Sequence, residues 1–284
     1  TFAPGLHMDT LETDFMKVIT NFLKYSSLHV AFISGIHMLA FFNLPSGTAI
    51  MHWPTLLQVF ISTWIIYIVD RLLDNIYNES TSSRHGYFEK NQYNFSILLI
   101  GLIIIDVVLC FFQKAEILIF GFFLGLIIVG YLFVLNKFKK VRSYKEFLMP
   151  IIFVTAITGP GFILSSSINL STWILTFMYL LLIYQNIFAF SYFETLNHEK
   201  ENNFTTIFDL HRIRKWINYL GAFNIILFGI LFLNFSTYPD KLAFIITLIS
   251  FLYTLGLVFQ HKIKTHFREV FDGLLFLFIL VFFI

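Results

Sequence analysis

Thr63-Trp64-Ile65-Ile66-Tyr67-Ile68-Val69-Asp70-Arg71-Leu72-Leu73-Asp74 reads as an apolar helix that turns acidic at its end. The i, i+4 spacing puts Asp70 and Asp74 on one helical face. Ionised groups at the edge of a bilayer are costly unless they hold a cation or line a polar cavity. Two hard oxygen ligands on one face suit Mg²⁺, which keeps several waters and binds through one or two carboxylates plus a phosphate. Solvated helix faces carry the same spacing. The pair alone therefore leaves two readings open, a solvated face or a diphosphate-handling site in a membrane protein.

Composition decides the membrane question. The chain has 284 residues, 57% hydrophobic and 13% charged, with 38 Phe, and a mean hydropathy of +0.77. A soluble domain carries roughly 25% charged residues. Apolar runs fall at about 28–44, 53–70, 94–113, 116–136, 147–165, 170–193, 216–235, 241–260 and 269–284. They predict nine transmembrane helices, each near the ~20 residues a bilayer needs. Leu44-Pro45-Ser46-Gly47, Ser165-Ser166-Ser167 and Tyr238-Pro239-Asp240 read as turns between them. Only Gln113-Lys114-Ala115-Glu116 separates the third and fourth runs, so a reading with eight helices also stands.

Charge sets the expected orientation. With the N-terminal side in the cytoplasm, every Lys and Arg except Lys114 and Lys241 falls on the inner face. Asp70 and Asp74 then face the cytoplasm, where Mg²⁺ and phosphorylated metabolites are available, as in a multi-pass protein of a plasma (inner) membrane. The net charge of +2 is local to these loops and gives no reason to invoke nucleic acid. The single cysteine, Cys110, lies within the third run, which excludes a disulfide framework and a cysteine metal site. No G-x-x-x-x-G-K-[ST] loop, G-x-S-x-G elbow or H-E-x-x-H pair occurs. Residues 1–15 lack a signal-peptide pattern and, with Gly5-Leu6-His7-Met8, read as a tag or disordered N-terminus ahead of a start near Met8 or Met16.

The inner loops gather the remaining polar residues. After the sixth run comes Ser191-Tyr192-Phe193-Glu194-Thr195-Leu196-Asn197-His198-Glu199-Lys200-Glu201, in which Glu194 and His198 repeat the i, i+4 spacing at the same depth as Asp70 and Asp74. Lys137-Phe138-Lys139-Lys140-Val141-Arg142 follows the fourth run, and Arg84-His85 follows the second. Cations beside carboxylates are what a Mg²⁺-bound diphosphate needs, because Lys or Arg neutralises the oxygens the metal leaves.

On these residues the chain resembles the UbiA superfamily of intramembrane prenyltransferases over nearly all of residues 16–284. That family carries N-x-x-x-D-x-x-x-D after its second helix and D-x-x-x-D after its sixth. Asp70 and Asp74 match the two acids of the first motif, and Asp70-Arg71 with Asp74, Ile76, Asn78 and Glu79 is similar to the D-R-x-x-D-x-I-N-E stretch of some members. Tyr131, Lys139 and Lys140 resemble the Y…K-R segment, and Thr205 and Thr206 stand about where members carry a Thr after the second motif. The motif's leading Asn falls on Ile66, and Glu194 and His198 stand in place of two aspartates. Glu is an acceptable Mg²⁺ ligand, whereas imidazole prefers softer metals. Glu199 can take the place of His198 if the helix end unwinds.

The resemblance implies one domain over 16–284, an all-α bundle of nine transmembrane helices around a cytoplasm-facing cavity. It implies Mg²⁺-dependent transfer of a prenyl group from its diphosphate to a lipophilic, aromatic acceptor, with release of pyrophosphate. Asp70, Asp74, Glu194 and His198 would be the catalytic set, with metal ligands Asp70, Asp74, Glu194 and Glu199. Arg71, Asn78, Arg84, Tyr131, Lys139 and Lys140 would bind substrate. Gln185 and Asn186 either orient the acceptor or hydrogen-bond neighbouring helices. Two alternatives stay open: a terpene cyclase of the same fold, and a degenerate member that binds an isoprenoid lipid without turnover.

Other polar and aromatic residues have milder readings. Asp106, mid-span, is expected to pair with a hydroxyl or be protonated. His29 and His37 read as interhelical hydrogen-bond partners. Gly159-Pro160-Gly161 marks a break or a kink in the fifth helix. Tyr67, Tyr184, Phe188, Phe190, Tyr192 and Phe193 are either cavity walls that stabilise a cation or packing residues.

Overall fold

The computed structural model describes residues 20–23, 25–44, 47, 52–77, 83–137, 145–165, 168–197, 205, 207–232 and 236–284, with side chains left aside at 74–77, 83–85, 135–137 and 145. Each apolar run has a helical counterpart. In chain order these are α1 (Leu28–Phe42), α2 (Trp53–Tyr77), the short α3 (Ser83–Lys90), α4 (Gln92–Cys110) and α5 (Ala115–Lys137). There follow α6 (Lys145–Leu164), α7 (Leu170–Leu196), α8 (Leu210–Leu231), α9 (Tyr238–Val258), α10 (Gln260–Ile263) and α11 (Phe267–Leu275), which continues into a 3₁₀ segment, Phe276–Phe282. Six of these, α2, α4, α5, α6, α7 and α9, are long and apolar enough to cross a membrane. The chain is thus built as a helical membrane protein.

The helix boundaries differ from the apolar runs for identifiable reasons. α8 begins at Leu210, ahead of the run at 216, because the Asp209 side chain accepts from the Arg212 amide at 2.8 Å and caps a polar first turn. Tyr238-Pro239-Asp240 is the first turn of α9 and not a free turn. The Asp240 carboxylate accepts from the Ser236 and Thr237 amides at 3.1 and 2.9 Å, and proline at the helix start has no amide to leave unpaired. α6 runs through Gly159-Pro160-Gly161 as one helix, so of the two expectations, a break or a kink, the break does not hold. Gly159 is needed there for contact: a Cβ would overlap the ring of Phe120 on α5. α4 and α5 are separate helices, with Phe111–Lys114 between them, so the eight-helix reading does not hold.

Packing divides the bundle. α7, α8 and α9 pack on one another, and α1, α6 and the 3₁₀ segment close around them. Tyr179, Tyr253, Phe42, Phe193, Phe271 and Phe278 are fully buried in this core. His37 Nε2 donates to the Leu275 carbonyl at 3.0 Å, so its Nδ1 accepts from the Tyr179 hydroxyl at 2.6 Å, tying α1 to α7 and α11. By contrast, α4 rests on α2 and α3, and α5 on α6 and α2. About 6% of the α5 span is buried against protein, compared with 56% of the α9 span. The exposed Ile, Val and Phe of α4 and α5 are what lipid, as solvent, requires.

A polar ladder fastens α4 to the first half of α2. Thr55 donates to Gln113 at 2.7 Å, Gln58 to the Cys110 sulfur at 3.3 Å, and Ser62 to Asp106 at 2.9 Å. Asp106 thus has a hydroxyl partner, on the neighbouring helix. His52 Nδ1 lies 2.7 Å from the Thr55 hydroxyl at the mouth of the ladder. Burial, and then the charge of Lys114, hold this imidazole below its ordinary pKa.

Candidate functional site

A cavity of about 250 Å³ opens where α2, α5 and α7 end and where α1, α6 and α11 begin. Each helix offers it one stripe. On α2 the lining residues are Thr63, Ile66, Tyr67, Asp70 and Arg71; on α7 they are Ile183, Asn186, Ile187, Phe190 and Glu194. These spacings of three and four keep a single helical face inward. Ile33, Ile128, Ile152 and Ile183 make part of the wall apolar, and Asp70, Arg71, Glu146, Glu194, Arg268 and Asp272 bring charge to it.

The charges are arranged unequally. Arg268 Nη2 donates to Glu194 Oε1 at 3.0 Å, with 21% and 9% of the two side chains exposed. The Arg268 guanidinium also lies 5.3 Å from the Phe267 ring centre. Asp272, one turn further along α11, is 2.9 Å from His29 Nε2, which makes His29 an interhelical partner as expected. The Ser191 hydroxyl stands 2.8 Å from both oxygens of Glu146, joining α7 to α6. Asp70 has no hydrogen-bond or ion-pair partner among the described residues, so its carboxylate is available to a cation from the cavity.

The structure brings together five of the expected site residues, Asp70, Arg71, Tyr131, Asn186 and Glu194, on one cavity. Asp74 lies one helical turn beyond Asp70 on α2, and Arg84 lies in α3; their side chains are outside the described residues. Asn78, Lys139, Lys140, His198 and Glu199 also fall outside them. Among the described residues, no group of three or more His, Cys, Asp or Glu converges as a metal site. The donors fit Mg²⁺ unevenly. Asp70 is an unpaired hard ligand on the wall, whereas the charge of Glu194 is already met by Arg268.

Gln185 is the member that the structure places elsewhere. Its Nε2 donates to the carbonyls of Ile217 and Ser250 at 3.1 and 2.9 Å and to the Thr254 hydroxyl at 3.2 Å. It therefore ties α7 to α8 and α9 and does not line the cavity. A residue step of about 100° around a helix turns Asn186 inward and Gln185 outward. The aromatics divide similarly. Tyr67 and Phe190 line the cavity, while Phe188 packs on Trp216, Phe193 on Phe267, and the Tyr184 and Tyr192 hydroxyls donate to the Phe147 carbonyl and Gln260 at 2.6 and 2.7 Å.

Glu146, Arg268 and Asp272 are cavity residues that the sequence reading passed over. A signal existed for two of them: Arg268 and Asp272 share one face of α11 at i, i+4, like Asp70 and Asp74 on α2. Thr205 is held by a hydroxyl bond to Thr195 at 2.6 Å, near the end of α7. Comparison of the chain with protein-family models, curated proteins and solved structures finds no match.

Proposed function

We propose that the chain is an intramembrane prenyltransferase of the UbiA type, transferring a prenyl group from an isoprenoid diphosphate to a lipophilic, aromatic acceptor with release of pyrophosphate. One observation carries this reading: Asp70, Arg71, Tyr131, Asn186 and Glu194, from three helices, meet on one cavity that pairs apolar walls with charged groups. A prenyl diphosphate has the same division between an apolar chain and an anionic head. Under this reading α1, α8, and α11 with its 3₁₀ segment complete nine spans, and the cavity faces the cytoplasm of a plasma (inner) membrane.

Asp70 with Asp74 would hold the Mg²⁺ that supplies positive charge to the departing pyrophosphate. Arg71, Arg84, Lys139, Lys140 and Asn78 would neutralise or hydrogen-bond the remaining phosphate oxygens. Tyr131 and Asn186 would orient the acceptor from α5 and α7. The isoleucine wall, including Ile66 where the family motif has Asn, would exclude water so that the acceptor and not solvent captures the allylic carbon. His198, with Glu199 beside it, would act at the α7 end as ligand or base.

The test is a panel of prenyl diphosphates offered with quinol and phenol acceptors to the protein in nanodiscs. Pyrophosphate release that stops with EDTA, and a prenylated acceptor by mass spectrometry, are the expected results. Cyclised hydrocarbon without acceptor would convert the reading to a terpene cyclase. The Glu194–Arg268 pair favours a second reading, a relative that binds isoprenoid without turnover. Saturable binding with no pyrophosphate release from any member of the panel would establish it.

A further inference from the structure

We propose that Arg268 is a diphosphate-binding residue, and that Glu194 is the anion that holds it in place while the cavity is empty. This rests on the diphosphate reading above. Its starting observation is that the acid at the α7 end does not stand alone: Arg268 Nη2 meets Glu194 Oε1 at 3.0 Å, and both residues line the cavity. A guanidinium keeps its proton at any working pH and offers planar, paired donors that match phosphate oxygens. A divalent cation brought to the same carboxylate would meet that fixed positive charge, which makes Arg268 the group there suited to an anion. The Phe267 ring beside the guanidinium restricts its plane, and α11 carries it to the cavity wall. The guanidinium carries several donors, so a phosphate arriving there shares Arg268 with Glu194, and neither charge is left uncompensated. The site then uses one metal ion at the α2 end and one arginine at the α7 end.

Binding of geranyl S-thiolodiphosphate to the full chain in nanodiscs tests this, with bound Mn²⁺ counted by electron paramagnetic resonance. The wild type is expected to hold one Mn²⁺ per chain in the presence of this probe. Glu194→Gln removes the competing anion, so probe affinity should stay or rise, with the Mn²⁺ count unchanged. Arg268→Gln should weaken probe binding by about tenfold or more, as loss of a charge-assisted hydrogen bond does. The double variant Glu194→Gln, Arg268→Gln removes both charges of the pair together and guards against misfolding; it should bind as weakly as Arg268→Gln. A Glu194→Gln variant that loses affinity together with a second Mn²⁺ would make Glu194 a metal ligand and overturn the proposal. A double variant that binds like wild type would return Arg268 to a structural role. If the wild type binds neither the thiolodiphosphate nor inorganic pyrophosphate, the diphosphate reading itself fails.

Discussion

α2 and α7 each bring an acid to the same cavity, yet the two acids are held differently. On α2, Gln58 and Ser62 bond to α4 and Thr55 bonds to Gln113 just beyond it, whereas Asp70, nearer the other end, has no hydrogen-bond or ion-pair partner among the described residues. α7 is fastened at the cavity by Glu194 to Arg268 and Ser191 to Glu146, and away from it by Gln185 to α8 and α9. A carboxylate on a helix held elsewhere can give its charge to a ligand at little structural cost. One that also joins two helices cannot. Matching positions in two motif-like segments therefore do not have matching jobs.

The largest expected effect tests the α2 half of this contrast. Asp70→Asn with Asp74→Asn should lower turnover about 10²-fold or more, roughly 2.7 kcal/mol of barrier, while the thermal midpoint stays put. Full turnover in this folded double variant would remove Asp70 from the site. Next comes the fastening at α7. Arg268→Leu leaves a poorly solvated Glu194 without its cation and should cost about 2 kcal/mol of stability, below the range for fully buried pairs because Arg268 is partly exposed. Adding Glu194→Gln should restore most of it, and thermal unfolding in detergent measures both steps.

Smaller effects sharpen the comparison. Gln185→Leu breaks bonds from α7 to α8 and α9 and should cost about 1 kcal/mol, with turnover per folded molecule unchanged. A fall in turnover larger than the fall in folded protein would put Gln185 back in the site. Ser62→Ala, in the α2 ladder, should cost about 0.5 kcal/mol and leave ligand binding alone. A larger loss of binding would mean that α2 transmits strain from the ladder to Asp70.

The sequence made the membrane helices legible because lipid imposes a length and a composition on any span. α4 and α5 are the plainest case, since little protein covers them. Less legible were elements whose ends depend on capping or on packing: the start of α8 at Asp209, the short α3, and the change from α11 to 3₁₀ at Phe276. At the site, Asp70 and Glu194 could be named from spacing, Arg71 and Tyr131 from the family resemblance, and Asn186 as an amide deep in the run above Glu194. Gln185 and Asn186 could not be separated, because the rotation of α7 is fixed by its neighbours. Arg268 reads in sequence as one more inner-face cation, and only tertiary packing sets it against an acid far away in the chain.

That separation bears on how the protein is made. Arg268 follows Glu194 by 74 residues, so a ribosome finishes α7, α8 and α9 before the counter-ion of Glu194 exists. Until α11 emerges, the nascent chain carries Glu194 at the end of α7 without the Arg268 guanidinium. The Glu194–Arg268 bond can form only once α11 is made, which makes it a late contact of the bundle.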